Sequence, residues 1–224
     1  MKKLFLALTS MGVVFSACNN AADKTSKTET KSSDTAVTTV DHSTMDMDTA
    51  AIAPAGGGIM QSMKGMMGSM ASMQMSGDFD VDYANAMIAH HQGALDMAQM
   101  EVAQGKDEKM KAMAQSILNK QNQEQNNLKA FTQSYKPSGM KHGEGELKKS
   151  VDATSSKMMA APMTGDIDKD FAAMMISHHE HGVAMDKLLV EHGMDNNLKA
   201  MAKKSIASQQ KEIKEFKSWM SANQ

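Results

Sequence analysis

The stretch MIAHHQGALDMA at residues 87–98 decides the fold, because a close copy, MISHHEHGVAM, occurs at residues 175–185. The copies are 88 residues apart, and the same offset relates residues 80–131 to residues 168–219 without a gap. Solenoid proteins repeat at shorter periods, roughly 20 to 50 residues. The offset therefore predicts a structural unit that is duplicated within one domain.

Each copy has the hydrophobic periodicity of two helices. In the first copy, residues from Tyr83 to Met97 recur at intervals of three and four, which places them on one helix face. Gly105 ends this pattern and Asp107 can cap a second helix. Two hairpins with one apolar stripe per helix pack most simply as an antiparallel four-helix bundle. We therefore predict an all-α fold with a first hairpin at 78–134, an irregular linker at 135–165 and a second hairpin at 166–224.

Polar side chains occupy the inward stripes of the four predicted helices, where apolar side chains are expected. His90 and Gln121 lie at equal sequence distances before and after the turn of the first hairpin. They are therefore at the same level along the hairpin axis. If the hairpins pack with their open ends together, six side chains meet in one layer: His90, Gln121, Glu124, His178, Gln209 and Glu212. Further candidate ligands are Met87, Met97, Met175 and Met185, within two turns of this layer, together with His181, and with His91 and His179 at the edge of the stripe, where solvent can reach them.

Two interpretations of this layer stay open. Glu and Gln side chains can satisfy buried histidines in a hydrogen-bond network that sets helix register. Alternatively, inward His and Glu side chains on facing helices are how helical bundles hold metals, and imidazole with nearby thioethers suits copper. The carboxylates are too few for a ferritin-type di-iron centre.

A methionine-rich segment precedes the first hairpin, and it contains seven of the 26 methionines in the chain. Gly65 and Gly68 interrupt it, and Gly disfavours a helix interior by about 1 kcal/mol. We therefore predict a disordered arm within residues 18–77 whose soft thioethers bind Cu(I). The alternatives are an amphipathic helix packed on the bundle and a sink for oxidants. The candidate ligands are Met60, Met63, Met66, Met67, Met70, Met73 and Met75, with a mixed cluster at His42, Met45 and Met47.

The N-terminus has the pattern of an export signal. Two lysines precede an apolar run at residues 4–15, followed by Ser16, Ala17 and Cys18, which predicts a signal peptide at 1–17. Cys18 after two small residues resembles the lipid-bearing cysteine of bacterial lipoproteins. We expect an exported lipoprotein, tethered to a membrane through Cys18 and facing the periplasm or the cell exterior.

The histidine motif at residues 87–98, followed by Gln121 and Glu124 on the next helix, resembles the bacterial domain-of-unknown-function family 305. The second copy keeps the His pair and both Met positions but departs from the motif at Gly182 and Asp186. The resemblance implies a ferritin-like helical bundle, an exported location and, for some members, copper binding and copper tolerance. It implies no catalytic activity.

Composition and charge narrow the function further. A net charge of −2 and the absence of arginine argue against a nucleic-acid partner, and a single cysteine excludes a disulfide framework. We find no nucleophile and base pair, so we expect no enzyme. The preferred hypothesis is an extracytoplasmic protein that captures, buffers or hands over Cu(I), with a copper exporter or chaperone as possible partner and homo-oligomers as an open possibility. The alternatives are a ferritin-like redox protein with iron, manganese or Cu(II) in the bundle, and a metal-free envelope stress or scaffold module.

Overall fold

The computed structural model describes residues 55–137, 144–158 and 163–224, and within these ranges it contains helices and no strand. The prediction of an all-α fold is confirmed. Cys18 and the cluster of His42, Met45 and Met47 lie outside the described residues. The helices are α1 (Ala55–Ala71), α2 (Phe79–Gln104), α3 (Glu108–Ser134), α4 (Glu144–Met158), α5 (Ile167–His192) and α6 (Asn196–Ala222).

The four long helices begin at aspartates. Each of these N-cap side chains accepts a hydrogen bond from the backbone N–H three residues later, which satisfies one of the orphan donors of the first helical turn. Gly105 and Gly193 follow α2 and α5, and their N–H groups bond back to carbonyls of the last helical turn. The caps are Asp78, Asp107, Asp166 and Asp195.

The duplicated unit is larger than the predicted hairpin. The linker contains α4, and an offset of 88 residues places α4 on α1: Ile59 corresponds to Leu147 and Met63 to Val151, and all four are buried. The repeat is therefore a set of three helices, α1–α3 followed by α4–α6. The prediction of a disordered arm is wrong for residues 55–71, because burial of one face of α1 outweighs its glycines.

The turn before each inner helix is also built twice in the same way. Gly77 and Gly165 both have positive φ, 89° and 82°, a conformation that costs glycine least. Asp82 accepts a hydrogen bond from the N–H of Gly77, and Asp170 from that of Gly165, each at 3.0 Å. These carboxylates hold the chain at a fixed entry angle into α2 and α5.

Helices α2 and α5 form the centre of the structure and run antiparallel. Asp80 at the start of α2 accepts hydrogen bonds from the backbone after α5, including Met194 N at 2.9 Å. Asp168 at the start of α5 likewise accepts from Lys106 N and Asp107 N after α2. Each hairpin therefore places its open end against the turn of the other, which corrects the expectation that the open ends meet.

The remaining helices pack around this central pair. Helix α3 contacts α2, α6 contacts α5, and α1 and α4 pack on the inner helices. The buried face of α1 consists of Ile59, Met63, Met66 and Met70, so three of the arm methionines fill a core. None of the helices in the described ranges is long and apolar enough to cross a bilayer.

Candidate metal centre

The first histidines of the two motifs meet where α2 crosses α5. The rings of His90 and His178 stack with their centroids 3.7 Å apart. Each Nε2–H points at the backbone carbonyl oxygen of the other histidine, at 3.2 and 3.0 Å. Burial and the neighbouring imidazoles hold the pKa of both groups well below the ordinary value. Both rings are therefore neutral, and their Nδ1 atoms have no hydrogen-bond partner.

His181 adds a third imidazole at the crossing. Its ring lies edge-on to His90 with a centroid distance of 5.0 Å, and neither of its nitrogens has a hydrogen-bond partner. Burial lowers its pKa to about 4. Gly182 makes room here, because a Cβ on it would lie 2.5 Å from Gln209 Oε1 and 3.0 Å from His90 Cε1. The position equivalent to His181 in the first repeat is Gly93, so the cluster is asymmetric.

The second histidines of the motifs pair with the glutamates. His91 Nε2 lies 3.0 Å from Glu124 Oε2, and His179 Nε2 lies 2.8 Å from Glu212 Oε2. A carboxylate only accepts, so Nε2 carries a proton, and in the neutral form of the ring Nδ1 carries the free lone pair. Both Nδ1 atoms are buried without a partner.

The location of these two histidines corrects the expectation that they are solvated. His91 is 2% exposed and His179 is fully buried. Helix α2 is in contact with α1, α3 and α5, so it is covered on several sides. A single apolar stripe in the sequence cannot report burial on the other faces. The side chains expected in one layer do not all contact one another: His90 stacks on His178 at the crossing, whereas Glu124 and Glu212 pair laterally with the second histidines of the motifs.

Methionines accompany each lateral pair. A small cavity is bordered by His91, Glu124, Met87 and Met201, and we call these four residues the first lateral site. The offset of 88 residues relates this set to His179, Glu212, Met175 and Met113, which we call the second lateral site. There Met113 and Glu212 border a common pocket, and Met175 precedes His179 by one helical turn.

The cavity of the first lateral site is also lined by polar groups that the sequence analysis did not select. Tyr83 donates a hydrogen bond to Asp186 at 2.5 Å, and the amide of Gln209 donates to the other oxygen of Asp186 at 3.3 Å. Burial raises the pKa of Asp186 to about 7, against the effect of the Tyr83 hydrogen bond. The only sequence signal was that Asp186 departs from the family motif. Its equivalent in the first repeat is Ala98.

Other predicted ligands are not assembled into a site. Gln121 is buried, and its Oε1 has no hydrogen-bond partner. Within the described ranges, no three His, Cys, Asp or Glu side chains form a group that could hold a metal ion. Fully buried core positions are taken by Met97 and Met185, whereas Met60, Met67, Met73 and Met75 are partly buried against the core.

Comparison with known proteins identifies the family. The description "Domain of unknown function (DUF305)" matches residues 17–132 and again 131–220.

A DUF305 fragment from Deinococcus radiodurans is similar in structure, with 19% identity, coverage of 64% of this chain and 96% of that one, and a TM-score of 0.49. CopM in its Cu(I)-bound form has 24% identity, coverage of 66% and 98%, and the same TM-score. In its Cu(II)-bound form the identity is 28%, with coverage of 65% and 97% and a TM-score of 0.49. No curated protein sequence matches. The two matches to the family description cover nearly the whole chain, one for each repeat, and the chain belongs to the DUF305 family.

Proposed function

We propose that this protein binds Cu(I) outside the cytoplasm and buffers it or hands it to a partner, without catalysing a reaction. The observation that carries the proposal is the state of His91. Its Nε2–H is held by Glu124 at 3.0 Å, and its Nδ1 is buried with no partner. Metal-ligating histidines are oriented in this way, with a carboxylate on the second ring nitrogen.

The donors around His91 fit Cu(I) as cargo. Met87 precedes His91 by four residues on α2, and Met201 of α6 borders the same cavity. One imidazole and two thioethers are soft, neutral donors of the kind that select Cu(I). The charge of Glu124 then balances that of a monovalent cation, so the loaded site is neutral.

The partly buried methionines of α1 and the turn after it offer further thioethers at the surface. Met60, Met67, Met73 and Met75 pack against the core without being fully enclosed. Because these thioether sulfur atoms are not fully enclosed, they form a surface that can bind copper and release it again. A partner that donates or receives copper, such as an exporter or a chaperone, belongs to this proposal.

Competition with a chromophoric Cu(I) chelator under reducing conditions tests the function on the mature protein. We expect His91→Ala and Met87→Leu to lower the affinity of the bundle site about tenfold or more. Met110→Leu is the matched control, because Met110 is a fully buried methionine of α3 outside this cavity. An affinity that is the same in all four proteins would contradict the proposal.

Export and tethering are part of the proposed function and rest on residues 1–18. Cells expressing Cys18→Ser should release the protein from the membrane fraction into the soluble extracytoplasmic fraction. Retention of this variant in the membrane would contradict the lipid tether and leave the copper site untouched.

A further inference from the structure

We infer that only the first lateral site binds copper. In the second lateral site, the ammonium group of Lys120 already pairs with the carboxylate of Glu212, where the charge of a copper ion would otherwise be balanced. This inference rests on the proposed function. It concerns the number and position of the sites rather than the identity of the metal.

The two lateral sites have the same His–Glu geometry but different neighbours. Lys120 Nζ forms an ion pair with Glu212 Oε1 and donates to Ser208 Oγ at 2.8 Å. The residue equivalent to Lys120 in the second repeat is Ser208, whose hydroxyl group is neutral and so supplies no cation to Glu124. Among the described side chains, His91 is the one that donates a hydrogen bond to Glu124.

The exposure of the paired side chains shows where this ion pair lies. The side chain of Glu212 is 10% exposed, whereas that of Lys120 is 47% exposed and reaches inward from the surface. The carboxylate of the second site is therefore already neutralised by an ammonium group.

The ion pair of Lys120 changes the net charge that each lateral site would have with a bound cation. A monovalent ion on His91 Nδ1 together with Glu124 gives a net charge of zero. The same ion on His179 Nδ1 together with Glu212 and Lys120 gives a net charge of +1. A buried, uncompensated charge is strongly unfavourable, so the second lateral site disfavours the ion that the first one accepts.

The side chains around the first lateral site are also more polar than those around the second. The cavity of the first site includes a second carboxyl group, Asp186, together with Tyr83 and Ser205. The equivalent positions around the second lateral site are Ala98, Phe171 and Ile117, all of them apolar and buried. Carboxyl and hydroxyl oxygens thus collect on the side that lacks the lysine.

A double-mutant cycle on Cu(I) affinity tests the inference. In the wild-type background, we expect His91→Ala to weaken chelator-competed binding at least about tenfold and His179→Ala to change it less than about threefold. In the Lys120→Met background, which keeps the aliphatic stem, His179→Ala should now also cost about tenfold. Imidazole ¹⁵N NMR on adding Cu(I) gives an independent readout, with the Nδ1 signal of His91 shifting in wild type and that of His179 shifting only in Lys120→Met.

The reciprocal exchange is the sharpest control, because it conserves composition and net charge. In Lys120→Ser/Ser208→Lys, the dependence on histidine should move from His91 to His179. Equal losses from the two histidine variants in wild type, or no effect of Lys120→Met, would overturn the inference while leaving copper binding intact. Wild type that binds no tighter than His91→Ala/His179→Ala would instead refute copper binding by the bundle. Thermal unfolding of each apo variant checks that the fold is kept.

Discussion

At the scale of single residues, Glu101 is a buried carboxyl group without a donor. It is fully buried near the end of α2, and neither of its oxygens accepts a hydrogen bond. Burial, and then the adjacent carboxylate of Asp168, raise the pKa of Glu101 from 4.5 to about 8. Protonation of Glu101 therefore avoids a second negative charge beside Asp168. The equivalent residue in the second repeat is Leu189, also fully buried.

We predict that Glu101→Leu stabilises the protein by about 1–3 kcal/mol at pH 8, the cost of an unsatisfied buried polar group. The folded-state pKa is raised, so folding takes up a proton between the unfolded value of 4.5 and about 8. Wild-type stability therefore falls as the pH rises through this window, and the variant lacks this loss. Urea unfolding at pH 5 and pH 8 measures the difference.

The control for this prediction is an exposed glutamate. Glu191 at the end of α5 is 72% exposed, and Glu191→Leu should leave the slope of stability against pH unchanged. If Glu101→Leu and wild type keep parallel stability curves from pH 5 to pH 8, the raised pKa has no consequence for folding.

At the scale of elements, α1 shows how packing overrides a poor helical sequence. Its glycines weaken it locally, yet one of its methionines fits against a glycine of α2. A Cβ on Gly93 would lie 2.8 Å from Met66 Sδ and 2.9 Å from Met66 Cβ. The absence of a side chain at Gly93 is therefore what allows α1 to approach α2.

Two alanine substitutions should have opposite signs. A Cβ on Gly65 of α1 would extend into open space, so Gly65→Ala should stabilise the protein by up to about 1 kcal/mol through helix propensity. Gly93→Ala must displace Met66 and should destabilise by about 1–3 kcal/mol. Thermal or urea unfolding of the two variants measures the sign and size of each change in stability. Stabilisation by both would mean that α1 does not pack as described.

At the scale of the whole molecule, two sets of three helices are related by the offset of 88 residues. Asp80 and Asp168 join them reciprocally by capping the turn of the opposite set. His90 and His178 lie in the middle of α2 and α5. They therefore meet where the two helices cross, whether the helices run parallel or antiparallel. The same arrangement gives the methionines of the segment around α1 two different roles.

We predict that these roles separate on substitution by leucine, which conserves volume and apolarity and removes the thioether. A core set, Met63→Leu/Met66→Leu/Met70→Leu, should keep Cu(I) binding, with each exchange costing less than about 1.5 kcal/mol of stability. A surface set, Met60→Leu/Met67→Leu/Met73→Leu/Met75→Leu, should keep stability and lower the number of Cu(I) ions that exchange rapidly with a chelator. Loss of copper from the core set alone would reverse this assignment. Truncation of the segment is a poorer test, because it removes a packed helix.

The sequence alone was sufficient for the features that depend on local periodicity and on internal comparison. These are the all-α class, the duplication, the Asp107 cap and the presence of imidazoles and carboxylates on inward helix faces. Each follows from residue spacing within one helix or from the offset between copies. The pairing of helices into hairpins follows as well, because the turns at Gly105 and Gly193 are short.

Tertiary structure alone decided which of these groups meet. Periodicity reports one face of a helix, but α2 is covered by α1, α3 and α5 on several faces, so His91 is buried and pairs with Glu124 instead of facing solvent. Helix propensity is local, whereas α1 owes its helix to Met66 against Gly93. The offset implies two equal sites, yet Lys120 and Asp186 make them unequal, because the charge at a buried site depends on neighbours distant in the chain.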